Sequence, residues 1–144
     1  MYGSVTYLYS GFYWSARPPR QAEQKFIRAR QLGIYEAAEG DGSEGGACGY
    51  KTMVHANGYK KRETEVSDVL FKNGLGCGTC YKVMCYGHPL CNKKPITVVA
   101  MDQSPGGSWP HFDLSGSAFS RMAIDNRFAA GLRNVGKLKV AWTR

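Results

Sequence analysis

The sequence predicts an all-β fold, a small β-barrel that carries one or two short helices. Eighteen glycines among 144 residues indicate many tight turns rather than long helices. Short apolar runs rich in β-branched and aromatic residues alternate with turn signals, which is typical of strands. Helical periodicity is scarce by comparison. A chain of this length is sufficient for one hydrophobic core, so we expect one folded domain.

The first half of the predicted domain contains few clear elements. Residues 33–38 predict a first strand, which ends in a glycine-rich turn at 39–46. The polar residues 51–68 give no clear prediction. A short apolar run at 69–71 precedes an Asn-Gly turn at 73–74.

The second half gives stronger signals. Residues 81–85 predict a compact strand, and the uninterrupted β-branched run at 95–101 is the clearest buried strand in the sequence. The last strand is expected at 137–143, where apolar residues alternate and place Trp142 in the core. One helix is expected between them. Ser115 or Ser117 caps it, it runs through Asp125, and its inner face carries Phe119, Met122 and Ala123.

Residues 1–30 differ in composition from the rest of the chain. They carry five arginine or lysine residues against a single glutamate, and they are rich in tyrosine. Their start has neither a basic segment nor an aliphatic core, so they contain no recognisable signal peptide. We therefore expect an atypical, disordered extension over residues 1–30 and a folded domain over residues 31–144.

The formal net charge of +8 favours an anionic partner, or it serves only to keep the protein in solution. Nucleic acid is not expected as a partner, because the basic residues outside the extension are not interleaved with exposed aromatic residues. No apolar run reaches about 18 residues, so the sequence predicts neither a transmembrane helix nor a membrane partner.

Five cysteines lie between positions 48 and 91. Cys77 and Cys80, with His88 nearby, have spacings that a zinc ion could use, but only one Cys-x-x-Cys pair is present. A redox motif of the thioredoxin kind should open a helix, whereas this one leads into a predicted strand. Disulfides are favoured instead, which implies an oxidising compartment and leaves one cysteine over. We expect no metal and no cofactor.

Several motifs, in order, give the chain a resemblance to a known family. The segments at 45–50, 74–85, 102–107, 111–123 and 131–138 resemble the first domain of plant β-expansins, the family that includes the group 1 grass pollen allergens. The resemblance implies a six-stranded double-psi β-barrel, stapled by disulfides and related to family 45 glycoside hydrolases. It also implies secretion into the plant cell wall, with matrix polysaccharide as the partner and a monomeric state.

The same resemblance implies a pairing for the cysteines. Cys48 is expected to bond to Cys77, and Cys85 to Cys91. The family partner of Cys80 lies just beyond the last strand, so Cys80 is expected to be a free thiol here. The family's second, carbohydrate-binding domain is also expected to be absent, which makes this a truncated expansin.

The resemblance also implies a polysaccharide groove. Asp113 matches the general acid of the related hydrolases, which needs a partly apolar site to stay protonated. Its alternative role is to cap the following helix, and the alternative for His111 is simple packing. The expected groove residues are Tyr35, Asp41, Asp102, Trp109, His111 and Asp113.

A hydrolase that inverts configuration needs a second carboxylate as base. The matching position is Ala37, and Glu36 is one place off, which on a strand turns the side chain to the other face. We therefore expect a non-enzymatic protein that binds glucan or arabinoxylan and loosens polymer contacts without hydrolysis. The alternatives are a weak hydrolase that uses Asp113 as acid with Glu36 or Asp102 as base, and an inactive remnant.

Overall fold

The computed structural model describes residues 27–35, 46–51 and 62–144 of the chain. Its strands are β1 (Ile27–Tyr35), β2 (Glu63–Val66), β3 (Cys80–Tyr86), β4 (Ile96–Gln103), β5 (His111–Ser115) and β6 (Leu138–Thr143). Its α-helices are α1 (Asp68–Phe71), α2 (Gly116–Ser120) and α3 (Ala129–Val135), and 3₁₀ turns lie at Gly46–Cys48, Lys72–Gly74 and Asn126–Phe128. No helix in these ranges is both long and apolar enough to span a bilayer.

The strands close into a barrel in the order β1-β5-β2-β4-β3-β6, with β6 pairing back to β1. Two of the pairings, β1 with β5 and β2 with β4, are parallel, and the others are antiparallel. Because β2 lies between β4 and β5, the segment that joins β4 to β5 must pass the end of β2. That segment, residues 104–110, is called the groove loop below.

The core of the barrel is aromatic and aliphatic. Phe112, Tyr81 and Trp142 pack edge to face, with ring centroids 5.3 to 5.7 Å apart. Trp142 is 8% exposed, which confirms the prediction that it belongs to the core. The run from Val98 to Met101 is buried throughout, as expected for a strand covered on both faces.

Two disulfide bonds cross-link this barrel. Cys48 bonds to Cys77 and Cys85 to Cys91, with Cα atoms 5.6 and 5.7 Å apart, and both pairs are those the resemblance implies. In the chain-entropy model, the longer bridge contributes about 3–4 kcal/mol and the shorter one about 2 kcal/mol. Cys80 is a free, exposed thiol. The barrel fold with few helices and two disulfides is thus confirmed.

The first strand begins earlier than the sequence indicates. β1 starts at Ile27 and pairs with β6, so residues 27–30 belong to the barrel rather than to the extension. Apolar and charged residues alternate here, but the local excess of arginine obscures that pattern in the sequence. In the barrel, Ile27 pairs with Trp142 and Ala29 pairs with Val140. Residues 1–26 lie outside the described residues. So do residues 36–38, which are the second half of the expected first strand.

The helices also differ from the prediction. Ser115 does cap a helix, since its Oγ accepts a hydrogen bond from Ala118 N at 3.3 Å, but this helix ends at Ser120. The residues after it form tertiary hydrogen bonds instead, with Asn92 N donating to Met122 O at 2.9 Å. A third helix, α3, follows. The described residues therefore contain three short α-helices rather than one or two.

Candidate functional site

The groove loop forms one side of a shallow, open depression on the barrel. Gly106 and Gly107 have φ angles of 107° and 83°, a conformation that side chains other than glycine rarely adopt. These two residues let the loop turn back toward β5 and leave Trp109 45% exposed. The depression is lined by residues 104–107 together with Trp109, His111 and Asp113.

Asp113 lies on β5 and is half-buried, beside the groove loop. Its Oδ2 accepts a hydrogen bond from Ser104 Oγ at 2.6 Å, so it does not act as the cap of α2, a role that Ser115 fills. Gly33 of β1 pairs with Asp113, and a Cβ atom at Gly33 would lie 2.2 Å from Asp113 Oδ1. Glycine at position 33 therefore makes room for the carboxylate.

His111 also contacts Ser104. Its Nε2 lies 3.3 Å from Ser104 Oγ. The Ser104 hydroxyl has one proton, which it donates to Asp113, so it can only accept from the imidazole. The arrangement therefore favours a histidine protonated at Nε2, in a chain that runs from His111 through Ser104 to Asp113.

The role of Ser104 is not evident from the sequence, where it belongs to a run of turn residues. Serine is common in turns, so its presence beside Pro105 indicates only a loop. The structure brings it between two residues that the sequence does single out, His111 and Asp113.

Asp102 is placed differently from Asp113. Its Oδ1 accepts hydrogen bonds from Ala47 N at 2.7 Å and from Gln103 N at 2.8 Å. A Cβ atom at Gly46 would lie only 1.8 Å from Asp102 Oδ2. Asp102 therefore anchors the turn that carries Cys48, and it is not among the described residues that line the depression.

A further carboxylate, Glu65, lies between these two aspartates. The register pairs Glu65 of β2 with Asp102 of β4 on one side and with Asp113 of β5 on the other. In an antiparallel pairing such as that of β2 with β5, residues directly opposite each other have Cβ atoms about 4.5–5.5 Å apart. Asp113 therefore has a carboxylate on the neighbouring strand that the sequence alone does not single out.

Two expected groove residues lie partly or wholly outside the described residues. Tyr35 is the last residue of β1 and pairs with Ser115, but its side chain lies outside what the structure describes. Asp41 lies outside the described residues altogether. Their roles in the groove stay predictions.

A closed barrel with mixed parallel and antiparallel pairing is an arrangement that a double-psi β-barrel domain can have, and the comparisons with known proteins assign it to that class. The family model described as lytic transglycolase matches residues 63–142, more than half of the chain. Two plant relatives match a longer stretch. Expansin-B17 of Oryza sativa subsp. japonica is 51% identical over 115 residues, and Expansin-B1 of Arabidopsis thaliana is 48% identical over 115 residues.

Each match covers 76% of this chain but only 41% and 42% of the two relatives, so the chain spans about two fifths of their length. The chain belongs to the double-psi β-barrel family, and its domain is of the β-expansin type.

Solved structures agree on the fold. The apo form of the Clavibacter michiganensis expansin superposes with a TM-score of 0.57 at 20% identity, over 83% of this chain and 50% of that one. A mutant of the same expansin, in complex with cellohexaose, gives a TM-score of 0.55 at 21% identity, over 81% and 50%.

Proposed function

We propose that this domain is an expansin-like plant cell-wall protein that binds a glucan or arabinoxylan chain along the groove. We propose further that it loosens non-covalent contacts between wall polymers without cutting them. The observation that carries the proposal is Trp109, which is 45% exposed beside the chain of hydrogen bonds from His111 to Asp113.

The chemistry of the groove suits a polysaccharide. An exposed aromatic face packs against the apolar C–H face of a sugar ring. The groups beside it, Ser104, His111 and Asp113, offer acceptors and donors for the hydroxyl groups of a sugar. Because the depression is shallow and open, a long polymer can enter it from the side rather than by its end.

The second part of the proposal, binding without cleavage, is supported by the carboxylates. Asp113 already accepts from Ser104, and Asp102 accepts from two backbone N–H groups, so Asp102 is poorly suited to act as the base. By the resemblance to β-expansins, the position that matches the base of the related hydrolases is occupied by Ala37. A base must be able to reach a water molecule across the scissile bond.

The relatives support the biological setting. The matched plant proteins are named as expansins, and one of the structural relatives is described in complex with cellohexaose. For this chain we therefore propose secretion, action in the cell wall and a polysaccharide partner.

Binding can be tested by sedimentation with insoluble cellulose and arabinoxylan. Trp109→Ala is expected to weaken binding about tenfold, since a lost stacking contact of this kind is worth about 0.5–1.5 kcal/mol beyond the area it buries. Phe128→Ala is the matched control, because Phe128 is 42% exposed and does not line the depression. Equal binding by wild type and Trp109→Ala would refute the groove.

The absence of cleavage is tested separately. Incubation with soluble β-glucan or xylan should release no reducing ends, while the protein should increase the creep of stretched wall specimens. A protein that binds but produces no creep would be an inactive remnant, and steady release of reducing ends would show an enzyme.

Glu65 gives one specific reason to keep a second candidate function, weak glycoside hydrolysis. It pairs directly with Asp113, so the two carboxylate side chains lie on the same face of neighbouring strands. If reducing ends are released, both Asp113→Asn and Glu65→Gln should abolish the release. Activity that survives either substitution would exclude this pair as the catalytic groups.

A further inference from the structure

The groove loop has little intrinsic rigidity. Residues 105–109 are all exposed, and Gly106 and Gly107 add to the freedom that the loop loses when it orders. The position of Trp109 therefore depends on the contacts that hold this loop to the barrel.

One residue outside the depression holds the loop at two points. Asp68, the first residue of α1, accepts a hydrogen bond at Oδ1 from Gln103 Nε2 at 2.7 Å. Its Oδ2 accepts a second from Gly106 N at 3.3 Å. One oxygen of this exposed carboxylate thus holds Gln103, the residue before the groove loop, and the other holds the glycine turn within the loop.

The residues just before Asp68 hold the two ends of the loop. Ser104 N donates to Val66 O at 3.0 Å, and His111 N donates to Ser67 Oγ at 3.2 Å. These contacts fix where the loop leaves β4 and where it enters β5. Of the contacts made by this three-residue segment, only that of Asp68 reaches the middle of the loop.

We propose that Asp68 is a positioning residue for polysaccharide binding, which holds the groove loop in the shape that presents Trp109 and Ser104 to the chain. This inference rests on the proposed function. Asp68 orders the loop before any ligand arrives, so the loop's conformational entropy is not lost again on binding. The hydrogen bonds from Gln103 and Gly106, helped by the charge of His111, also hold the pKa of Asp68 below its ordinary value.

The first test measures loop order without any ligand. Amide hydrogen exchange at Gly106 should be about tenfold faster in Asp68→Ala than in the wild type, because the N–H loses its acceptor. Asp125→Ala is the matched control. Asp125 is also an exposed aspartate, but its Oδ1 accepts from Arg127 N and Nε, away from the groove loop. Unchanged exchange at Gly106 in Asp68→Ala would overturn the proposal.

The second test measures binding to arabinoxylan and cellulose. Asp68→Ala should bind about fivefold more weakly, with a melting temperature close to that of Asp125→Ala. Asp68→Asn should recover part of the binding, since its amide oxygen accepts one of the two hydrogen bonds. Adding Gln103→Ala to Asp68→Ala should cause little further loss, because the two residues share one hydrogen bond.

The two possible failures are distinguishable. If the wild type binds neither polysaccharide, the proposed function fails, and the role of Asp68 in binding fails with it. If the wild type binds and Asp68→Ala binds equally well, only the role of Asp68 is refuted. A loss of binding matched by Asp125→Ala would also refute it, because the effect would then be one of general stability.

Discussion

Two loops that leave the barrel are held in opposite ways. The loop at 87–90 is closed by the Cys85–Cys91 disulfide. The backbone of Cys91 also forms an isolated β-bridge with Ala123. The groove loop has no covalent link and is held by hydrogen bonds to the segment 66–68. A covalent bond thus stabilises a loop of the scaffold, whereas the loop that presents the site is held by hydrogen bonds, and those to Asp68 depend on pH.

The largest expected effect comes from removing the covalent bond. The double substitution Cys85→Ser with Cys91→Ser should lower the free energy of unfolding by about 2 kcal/mol and the melting temperature by about 5–10 °C. Binding to arabinoxylan, measured well below the melting transition, should be unchanged. Thermal denaturation followed by circular dichroism checks the first outcome.

Cys80→Ser is the control for that experiment, since Cys80 is exposed and unbonded. It should leave the melting temperature unchanged and remove the single thiol that reacts in the native protein. A loss of polysaccharide binding in the double variant would show that the two loops are coupled, and the comparison would fail.

A smaller effect is expected from Ser104→Ala. The change removes the hydroxyl that joins His111 to Asp113, and a hydrogen bond to a charged group is worth about 1.5–3 kcal/mol, part of which water replaces at an open site. We expect binding to fall about fivefold, with little change in stability. Sedimentation with arabinoxylan measures the change.

Ser120→Ala is the matched serine control. Ser120 Oγ donates to Gly116 O at 2.8 Å within α2, and it does not line the depression. It should affect stability but not binding. Equal losses of binding in the two variants would mean that Ser104 has no special place in the groove.

Gly33→Ala should have a subtler effect. The new Cβ atom would lie 2.2 Å from Asp113 Oδ1, so the carboxylate must turn away and its bond to Ser104 must lengthen. Binding should fall about threefold, which corresponds to a free energy at the low end of what one hydrogen bond contributes. In an Asp113→Ala background the same change should cost nothing, and any loss there would contradict this explanation.

The smallest effect is a dependence on pH. The pKa values of Asp68 and Asp125 are both lowered, mainly by the hydrogen bonds they accept. Their stabilising contribution is therefore present above the ordinary pKa of aspartate, about 3.8, and is lost as the pH falls through the lowered values in the folded protein. Acid should weaken both contacts.

Only the Asp68 contact involves the groove loop. Hydrogen exchange at Gly106 should accelerate as the pH falls below about 3.8 in the wild type, after correction for the intrinsic rate. In Asp68→Asn this acceleration should be absent. An equal acceleration in both proteins would mean that a group other than Asp68 controls the loop.

Much of the fold could be predicted from the sequence, for identifiable reasons. The strands β3, β4 and β6 follow β-branched or alternating apolar residues, and such local patterns are sufficient to predict them. Arginines obscure the alternation at the start of β1, and β2 reads Glu-Thr-Glu-Val, so neither of these segments shows a clear apolar pattern. Their pairing with distant strands makes them strands, and no local pattern reveals that.

The candidate site was predictable to a different degree. Asp113, His111 and Trp109 were found through the resemblance to β-expansins, and the structure brings them together around one depression. Glu65 and Asp68 were missed, because they come close to the site only through the pairing of β2 with strands that lie more than thirty positions away. Residue type and local spacing carry no signal of that kind.

The pairing of the first strand with the last has a consequence for synthesis. β1 pairs with β5 and with β6, which ends at Thr143, so the barrel cannot close until nearly all of the described chain has left the ribosome. Both edges of β1 are unpaired until β5 emerges, and the edge that pairs with β6 stays unpaired until closure; such edges favour association between nascent chains. Both disulfides lie between positions 48 and 91, so their cysteines emerge well before closure, and oxidation can precede completion of the fold.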